Sequence, residues 1–503
     1  MYPLPNGRNF GDGTAQFIYT FKQPTVEHFG QARIDYHLSD KDSFFGRLSG
    51  SSASRTGPGD SDFPGYTQTS SLASWLTTLS ETHIFSPTLL NTFRFHFNRV
   101  NPLDTGKAPP PSPGVKITPG QPDPPQLSPG SGVSTIGGGG YATKPTYMIS
   151  NRFNSQEDMI LTKGSHSLEF GAEVERFQYN SSLFNRSFGV WAFTSLSDFL
   201  QARVNTYRGA PPGLGSFKGY WRQWFFGFYV QDNWRMSPRL TMNIGLRWEP
   251  QTPAVEAKGN LANLRHVADA QSTIGNPFWI NHSWKNFSPR VGLAWAPSAS
   301  GKTSVRAGFA YLYEPNDGNL YYGPSGRIPP TGYDFQIQSS QLFPDALAEI
   351  AAQPTVGPTS SVQYENLKNP RALQYNLTIQ QQLGSSNMVS VGYVGSRGID
   401  LPTIADVNMP PGVFNGVSYE IPTTARLLNP NFPQVLYSAN DGNSWYNGLL
   451  FLYQRQFSKG FQAQASYTSP GVSRTPTPAK IRPLSPWVLP PRNTGMTAAQ
   501  EKA

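Results

Sequence analysis

The chain has 503 residues, 37% of them hydrophobic and 13% aromatic, with only 14% charged and a formal net charge of +9. Glycine at 48 positions and proline at 46, beside 32 Phe and 23 Tyr, suit many strands and turns and exclude a helical bundle. The Lys and Arg residues are scattered singly with no basic run, which gives a solvated surface and no nucleic-acid partner. Cysteine is absent, so disulfide and thiolate-metal schemes are excluded. No apolar run approaches the ~18 residues of a spanning helix, but a membrane barrel stays open because half of its residues face water.

Residues 1–27 read as an irregular segment, and Met1 to Pro5 have neither the charged nor the apolar region of a signal peptide. An exported barrel without one is expected to be a piece of a longer chain. Residues 28–469 then carry a succession of hairpins. In the first, Ala32, Ile34, Tyr36 and Leu38 alternate with polar neighbours, Ser39 to Ser43 turn, and Phe44 and Leu48 resume the apolar face. The second turns at Phe85-Ser86-Pro87, with Trp75 and Leu79 before it and Phe93, Phe95 and Phe97 after it, while Arg94 and His96 take the opposite face. Residues 101 to 150 contain PPPSPG, PDPPQ and GGGG, and are expected to be a long loop with no ladder. The third hairpin turns near Lys163-Gly164-Ser165 and sets Leu168, Phe170, Ala172 and Val174 against Glu169, Glu173 and Glu175.

The fourth hairpin is the clearest. Leu240, Met242, Ile244, Leu246 and Trp248 alternate with Thr241, Asn243, Gly245, Arg247 and Glu249, which is a strand with one apolar and one polar face. Before the turn, Phe226, Phe228, Val230 and Trp234 share one parity and Tyr229, Gln231 and Asn233 the other. Paired residues lie on the same face, so the loop must have an odd number of residues. A three-residue loop, Met236 to Pro238, is expected to pair Trp234 with Leu240 and Val230 with Ile244. Asp232 falls on the apolar parity, one pair from that turn, where a lipid-facing charge costs roughly 0 to 1 kcal/mol. The motif MSPRL here echoes FSPTL of the second hairpin and predicts a shared turn chemistry.

Three more hairpins keep the parity rule, across Ser298 to Lys302, Gly384 to Asn387 and Ser458 to Gly460. Short turns therefore alternate with long connections near 51–71, 101–150, 180–220, 250–285, 314–370 and 398–443. That asymmetry predicts an all-β, antiparallel transmembrane β-barrel of about fourteen strands, partial, with the long loops outside the cell. The polar faces assign Arg94, His96, Glu169, Glu173, Gln231, Asn233, Thr241, Asn243, Arg247, Glu249 and Arg306 to the lumen. Leu240, Ile244 and Leu246 look to outer-membrane lipid, and Trp234, Trp248, Trp295 and Tyr311 form an interfacial girdle. From Pro470 to Ala503 alternation stops and prolines accumulate, so this tail is expected to be disordered or aberrant. The competing reading is a secreted array of β-sandwich domains acting as an adhesin or surface-binding protein, whose apolar faces would be buried between two sheets.

Several stretches carry the likeness to a known family: RIDYHLSDKDSFFGRLS, LSETHIFSPTLLNTFRFHFNR, FYVQDNWRMSPRLTMNIGLRWEP, NFSPRVGLAWAP with GKTSVRAGFAYLYEP, and NSWYNGLLFLYQRQFSKGFQAQASYT. Together they resemble the barrel of Oar-like TonB-dependent transporters over roughly residues 25 to 469. The resemblance implies an outer-membrane receptor with a barrel of about 22 strands, a plug, and uptake of an unknown bulky ligand energised through the TonB complex. The sequence shows no plug, TonB box or closing strands, so contact with TonB is expected through a plug not present in this chain.

Enzyme signatures are weak. Ser300-Gly301-Lys302-Thr303 lacks the earlier glycine of a phosphate loop and precedes a strand. Gly137 to Gly140 has no strand before it, and Asp60 with Asp62 lacks the closing carboxylate of a calcium loop, since position 71 is Ser71. Glu169, Glu173 and Glu175 read as pore-lining charges beside Arg247 and Arg306, and the seven histidines show no metal spacing. No catalytic residue and no cofactor is assigned.

Overall fold

The structure is a computed structural model that describes residues 4–58, 65–107, 125–130, 132–137, 146–184, 189–210, 216–275, 283–316, 335–339, 342–345, 348, 362–363, 368–410, 412–414, 416, 418–420, 427–432 and 434–475. Asp60, Asp62 and Gly138 to Gly140 lie outside the described residues, as does the sequence after Thr475.

Alternating side chains specify strands with two distinct faces, and the turns join them in sequence order. Fourteen long strands result: β1 (Thr25–His37), β2 (Asp42–Pro58), β3 (Thr67–Ser86), β4 (Leu89–Lys107), β5 (Thr146–Lys163), β6 (His166–Phe184), β7 (Ser216–Ser237), β8 (Leu240–Trp248), β9 (Phe287–Trp295), β10 (Thr303–Tyr313), β11 (Arg371–Leu383), β12 (Asn387–Asp406), β13 (Leu436–Ser458) and β14 (Phe461–Thr475). Each is antiparallel to its sequence neighbour, so they form one continuous up-and-down wall. Two two-residue strands, Val255–Glu256 and Val362–Gln363, attach to β7 and β13. The wall is open: β1 and β14 do not pair with each other.

The short turns fall near where the sequence places them, but registers differ: Phe44 pairs with Tyr36, so Ser43 belongs to the ladder, and Asn387 pairs with Leu383, so the Gly384 to Asn387 turn is a three-residue loop. The fourth hairpin differs most. Trp234 pairs with Met242 and Val230 with Leu246, each two residues from the expected partner. The loop proper is only Pro238-Arg239, and the odd residue that parity demands is supplied by a β-bulge at Met236, between the Arg235–Thr241 and Ser237–Leu240 pairs. FSPTL does the same: Ser86 pairs with Leu89 and Phe85 is bulged out. In both turns the serine Oγ accepts the backbone N–H two residues on, at 3.3 Å. A serine followed by proline thus builds the same bulged turn twice.

The corrected register moves Asp232 further in from the turn, opposite Ile244. Its charge on the apolar face is met by His166, whose Nδ1 lies 2.7 Å from Asp232 Oδ2. The His166 ring stacks on Trp234, with centroids 5.2 Å apart.

Several strands outrun their alternation. β2 and β3 continue to Pro58 and from Thr67, through serine-rich stretches that the sequence assigns to a loop. Likewise β4 reaches Lys107, β12 reaches Asp406, and β14 passes Pro470 to end at Thr475. Alternation marks only the part of a strand that separates two environments, whereas the hydrogen-bond ladder goes on without it. Prolines still leave their mark. The β4–β5 pairing skips Asn101 and Pro102, and Pro470 lies on a strand with one free edge, where a residue without an N–H is tolerated.

The β-sandwich reading fails on the apolar face. Ile244, Leu246, Val291, Phe309, Ile379 and Phe451 are each between 39% and 46% exposed. Among the described residues no second layer covers them, which is how a lipid-facing band looks without lipid. Buried apolar side chains instead gather in the long connections. Gln126–Ser128, Val190–Ala192, Thr206–Gly209 and Phe335–Gln338 form a separate four-stranded sheet around Leu127, Trp191, Phe193, Tyr207 and Ile337. A second cluster joins Leu264, Val407, Phe432 and Val435. The region expected to be structureless between 101 and 150 therefore contributes a strand, because loops from different hairpins meet and supply the partners that no single loop has.

An arginine at Val291, midway along the apolar face of β9, is expected to destabilise the fold by about 2–4 kcal/mol, and one at Trp295 beside the turn by about 0–1 kcal/mol. Denaturant unfolding in lipid vesicles measures both, and equal costs at the two sites would contradict a lipid-facing band.

Candidate functional site: the charged face of the wall

The polar parity of β4 to β9 carries a continuous set of charged and polar contacts. Register aligns Arg94 with Gln156, Gln156 with Glu173, and Glu173 with Gly227 across β4, β5, β6 and β7. Arg94 Nη1 donates to Asp158 Oδ2 at 2.5 Å. Tyr229 OH donates to the other oxygen of Asp158, and Gln156 Nε2 lies 3.0 Å from the same atom.

The second half of the set centres on Arg247. Its Nη2 donates to Glu173 Oε2 at 2.6 Å and its Nε to Glu249 Oε1 at 2.8 Å. Asn154 Nδ2 donates to Glu173 Oε1 at 2.7 Å, and Ser288 Oγ to Glu249 Oε2 at 2.9 Å. These groups are held by six adjacent strands, so the strand ladder fixes their spacing. Charge-assisted bonds of this kind are shorter and stronger than neutral ones.

Glycine makes the room. A Cβ on Gly227 would lie 2.4 Å from Arg247 Nη2, and one on Gly171 would lie 2.8 Å from the Tyr229 ring and 2.2 Å from the Glu157 carbonyl oxygen. The guanidinium and the phenol ring thus lie flat over two backbone positions that have no side chain.

Next to this set is a cavity of about 750 Å³, lined among others by Arg152, Glu173, Glu175, Arg247, Glu249 and Tyr313. Arg152 Nε sits 3.8 Å from Glu175 Oε1. Of the residues the sequence assigns to the lumen, Glu173, Arg247 and Glu249 line the cavity and Arg94 joins the network beside it. His96 Nδ1 is 3.2 Å from Thr78 Oγ1, and Asn243 Nδ2 donates to Asn233 Oδ1 at 2.5 Å. Gln231 and Glu169 are cross-strand partners, and Thr241 and Arg306 both pair with Ala294, close to the short turns and away from the cavity. The sequence reading misses Asp158, Asn154 and Ser288. The signal for Asp158 was its parity with Asn154 and Gln156, in a strand whose alternation is blurred by Glu157 on the other face.

On the apolar parity, Trp248 stacks with Phe228 and Phe287 at centroid distances of 5.5 and 6.0 Å, and its Nε1 donates to the Trp284 carbonyl oxygen at 2.9 Å. Tyr311 lies under the Arg371 guanidinium, 6.0 Å from its carbon. Trp295 pairs with Leu240 beside the short turn, at the opposite end of the strands. Histidine spacing in the sequence suggests no metal, yet register brings His83 beside Asp42 and Glu81, with ligand atoms all within 4.8 Å. His83 and Asp42 already hydrogen-bond to each other, which takes up two of the three groups. The Ser298–Lys302 stretch is a hairpin turn, with Gly301 at φ +64° and a strand directly after it.

Arg247→Met leaves Glu173 and Glu249 without their shared cation, and is expected to cost about 1–2 kcal/mol, discounted for partial exposure of the pair. A double-mutant cycle with Glu173→Gln, read by denaturant midpoints, should give a coupling above about 0.5 kcal/mol. Strict additivity would show that the two groups do not interact. Gly227→Val should mimic Arg247→Met, because it occupies the place of the guanidinium.

Comparison with known proteins agrees with this architecture. The chain is 22% identical over 272 residues to the TonB-dependent transporter Oar of Myxococcus xanthus, a match that takes in 48% of this chain and 22% of that protein. Among solved structures it resembles the outer membrane transporter YddB from Escherichia coli, at 12% identity and a TM-score of 0.55, covering 92% of this chain and 50% of that one. A mutant of the ferric enterobactin receptor PfeA from Pseudomonas aeruginosa gives 11% identity and a TM-score of 0.51, covering 93% and 54%. The chain thus spans about half the length of these solved relatives. A family model described as the outer membrane beta barrel domain matches residues 1–469. With its meander of strands, uncovered apolar face and charged opposite face, the chain belongs to the outer membrane beta barrel domain family.

Proposed function

We propose that this chain forms the barrel wall of an outer-membrane receptor that captures a bulky ligand and imports it with energy delivered through the TonB complex. The observation that carries the reading is the pairing of two unlike faces: an apolar one that none of the described residues covers, and a charged one with a cavity beside its ion pairs. In this reading the charged face lines water. The long connections, which pack two cores between them, form the capture surface outside the cell. The names of the relatives, a TonB-dependent transporter and a ferric enterobactin receptor, support transport as the class. Contact with TonB runs through a plug domain, and the ligand is set by the loops.

A role as an enzyme finds no support in the network. Its carboxylates are bound by Arg94 and Arg247 in ion pairs, which suits a polar lining that a passing ligand can exchange contacts with.

The absence of cysteine allows a direct test by single-cysteine labelling in cells. Asn260→Cys, in a long connection, should react with a membrane-impermeant maleimide from outside, and Ser300→Cys only after permeabilisation. Asn233→Cys should react with water-borne reagent and Ile244→Cys only with a lipid-soluble one. Reversal of the last pair would overturn the reading.

A further inference from the structure

The outward, apolar parity of the wall changes character towards the long-connection end. One cross-strand row there runs Trp75, Arg99, Asn151, Gln178, Arg222 over β3 to β7. The row beside it runs Phe97, Phe153, Arg176, Trp224. Arg176 follows Leu168 by eight residues, about 26 Å of strand at ~3.3 Å per residue. On a tilted strand that is close to the ~25 Å height of a lipid-facing band. Three guanidiniums therefore stand where the apolar band ends.

Their surroundings leave them free to take an anion. Arg99 Nη1 donates to the buried Asn151 Oδ1 at 2.7 Å, and Arg222 Nη1 to Asn180 Oδ1 at 2.9 Å and to the Trp221 carbonyl oxygen at 2.7 Å. Arg176 lies over the Trp224 ring at 4.6 Å. None of the three is ion-paired among the described residues. Glu256, opposite Trp221 on the short strand that pairs with β7, accepts the backbone N–H groups of Tyr220, Lys258 and Asn260. Beyond the arginine rows, the outward positions of β2 to β7 hold no aspartate or glutamate, and Lys218 adds another cation. The acids of that face, Asp42, Glu81, Glu157 and Asp232, all lie on the short-turn side of the arginines.

We propose that Arg99, Arg176 and Arg222 form a binding site for the phosphate groups of an outer-leaflet glycolipid, with Trp75 and Trp224 at the level where its acyl chains begin. Guanidinium groups match phosphate oxygens in pairs of N–H bonds. Cations at a membrane surface each add to the attraction for anionic lipid. A lipid is the occupant because the site continues directly from the lipid-facing band, and a soluble anion would have no use for that continuity. The inference rests on the outward face being the lipid face.

The test uses the purified full chain in detergent, titrated with diphosphorylated lipid A and with the same lipid stripped of phosphate, bound lipid being counted by native mass spectrometry. The phosphorylated lipid should bind about tenfold more tightly, and Arg99→Gln/Arg176→Gln/Arg222→Gln should remove that preference. The corresponding triple lysine variant should keep most of it, and Glu81→Gln, on the short-turn side, should change nothing. If the triple glutamine variant does not fold, Arg176→Gln alone should lower the preference, since among the described residues that side chain only stacks on Trp224. Equal affinity for the two lipids, or an undiminished preference in the folded triple variant, overturns the proposal. So does full competition by inorganic phosphate, which would mark a site for a soluble anion. A photo-crosslinker at Val291 separates the two levels of failure. Acyl-chain labelling without phosphate preference sinks only the phosphate site, and no acyl labelling sinks the lipid-facing assignment itself.

Discussion

The structure depends on one constraint: backbone N–H and C=O groups that face hydrocarbon must find their partners within the protein, since lipid offers none. A meander of antiparallel strands meets it with the least chain, because each strand between β1 and β14 is hydrogen-bonded on both sides to its sequence neighbours. From this follow the long strands of β2 to β7, the bulged turns that keep parity, and the places where pairing lapses. The β4–β5 ladder skips Pro102 because proline has no N–H to offer. Side chains then divide by face, and the same division produces both the band that meets lipid and the charged surface behind it.

Polar groups on the apolar side obey a companion rule. Asp232 is joined to His166, and Asp42 to His83. Asn447 accepts the hydroxyl groups of Tyr375 and Tyr393. Each is a polar atom given a partner where water is scarce. On the opposite face the charges are more numerous and are linked into one set, with Arg247 bridging Glu173 and Glu249. Two glycines, at 171 and 227, shape this set by leaving space above the backbone. The lining is thus built jointly by large charged side chains and by positions that carry none.

The long connections are more than linkers. Segments from three of them contribute strands to one small sheet around Trp191 and Tyr207, and another cluster holds Asn408 and Asn429, with Asn429 N–H donating to Asn408 Oδ1 at 2.6 Å. Packed cores in the long connections give that end of the wall a fixed shape, and under the proposed function this would lower the cost of ordering a capture surface around a ligand.

The amino-acid sequence by itself determined the strands, their faces and their turns. Period-2 alternation in stretches such as Leu240 to Trp248, and the odd count that parity demands, are local properties of a pleated chain. It also placed Glu173, Arg247 and Glu249 on one side. Tertiary structure decided what depends on distance between strands. Which bulge supplies the odd residue at Met236, how far β2 and β3 run past their alternation, and that Asp158 meets both Arg94 and Tyr229 are set by cross-strand neighbours far away in the chain. The loop cores were hidden for the same reason: Leu127, Trp191 and Ile337 show no period, and each is buried only because segments from other hairpins close over it.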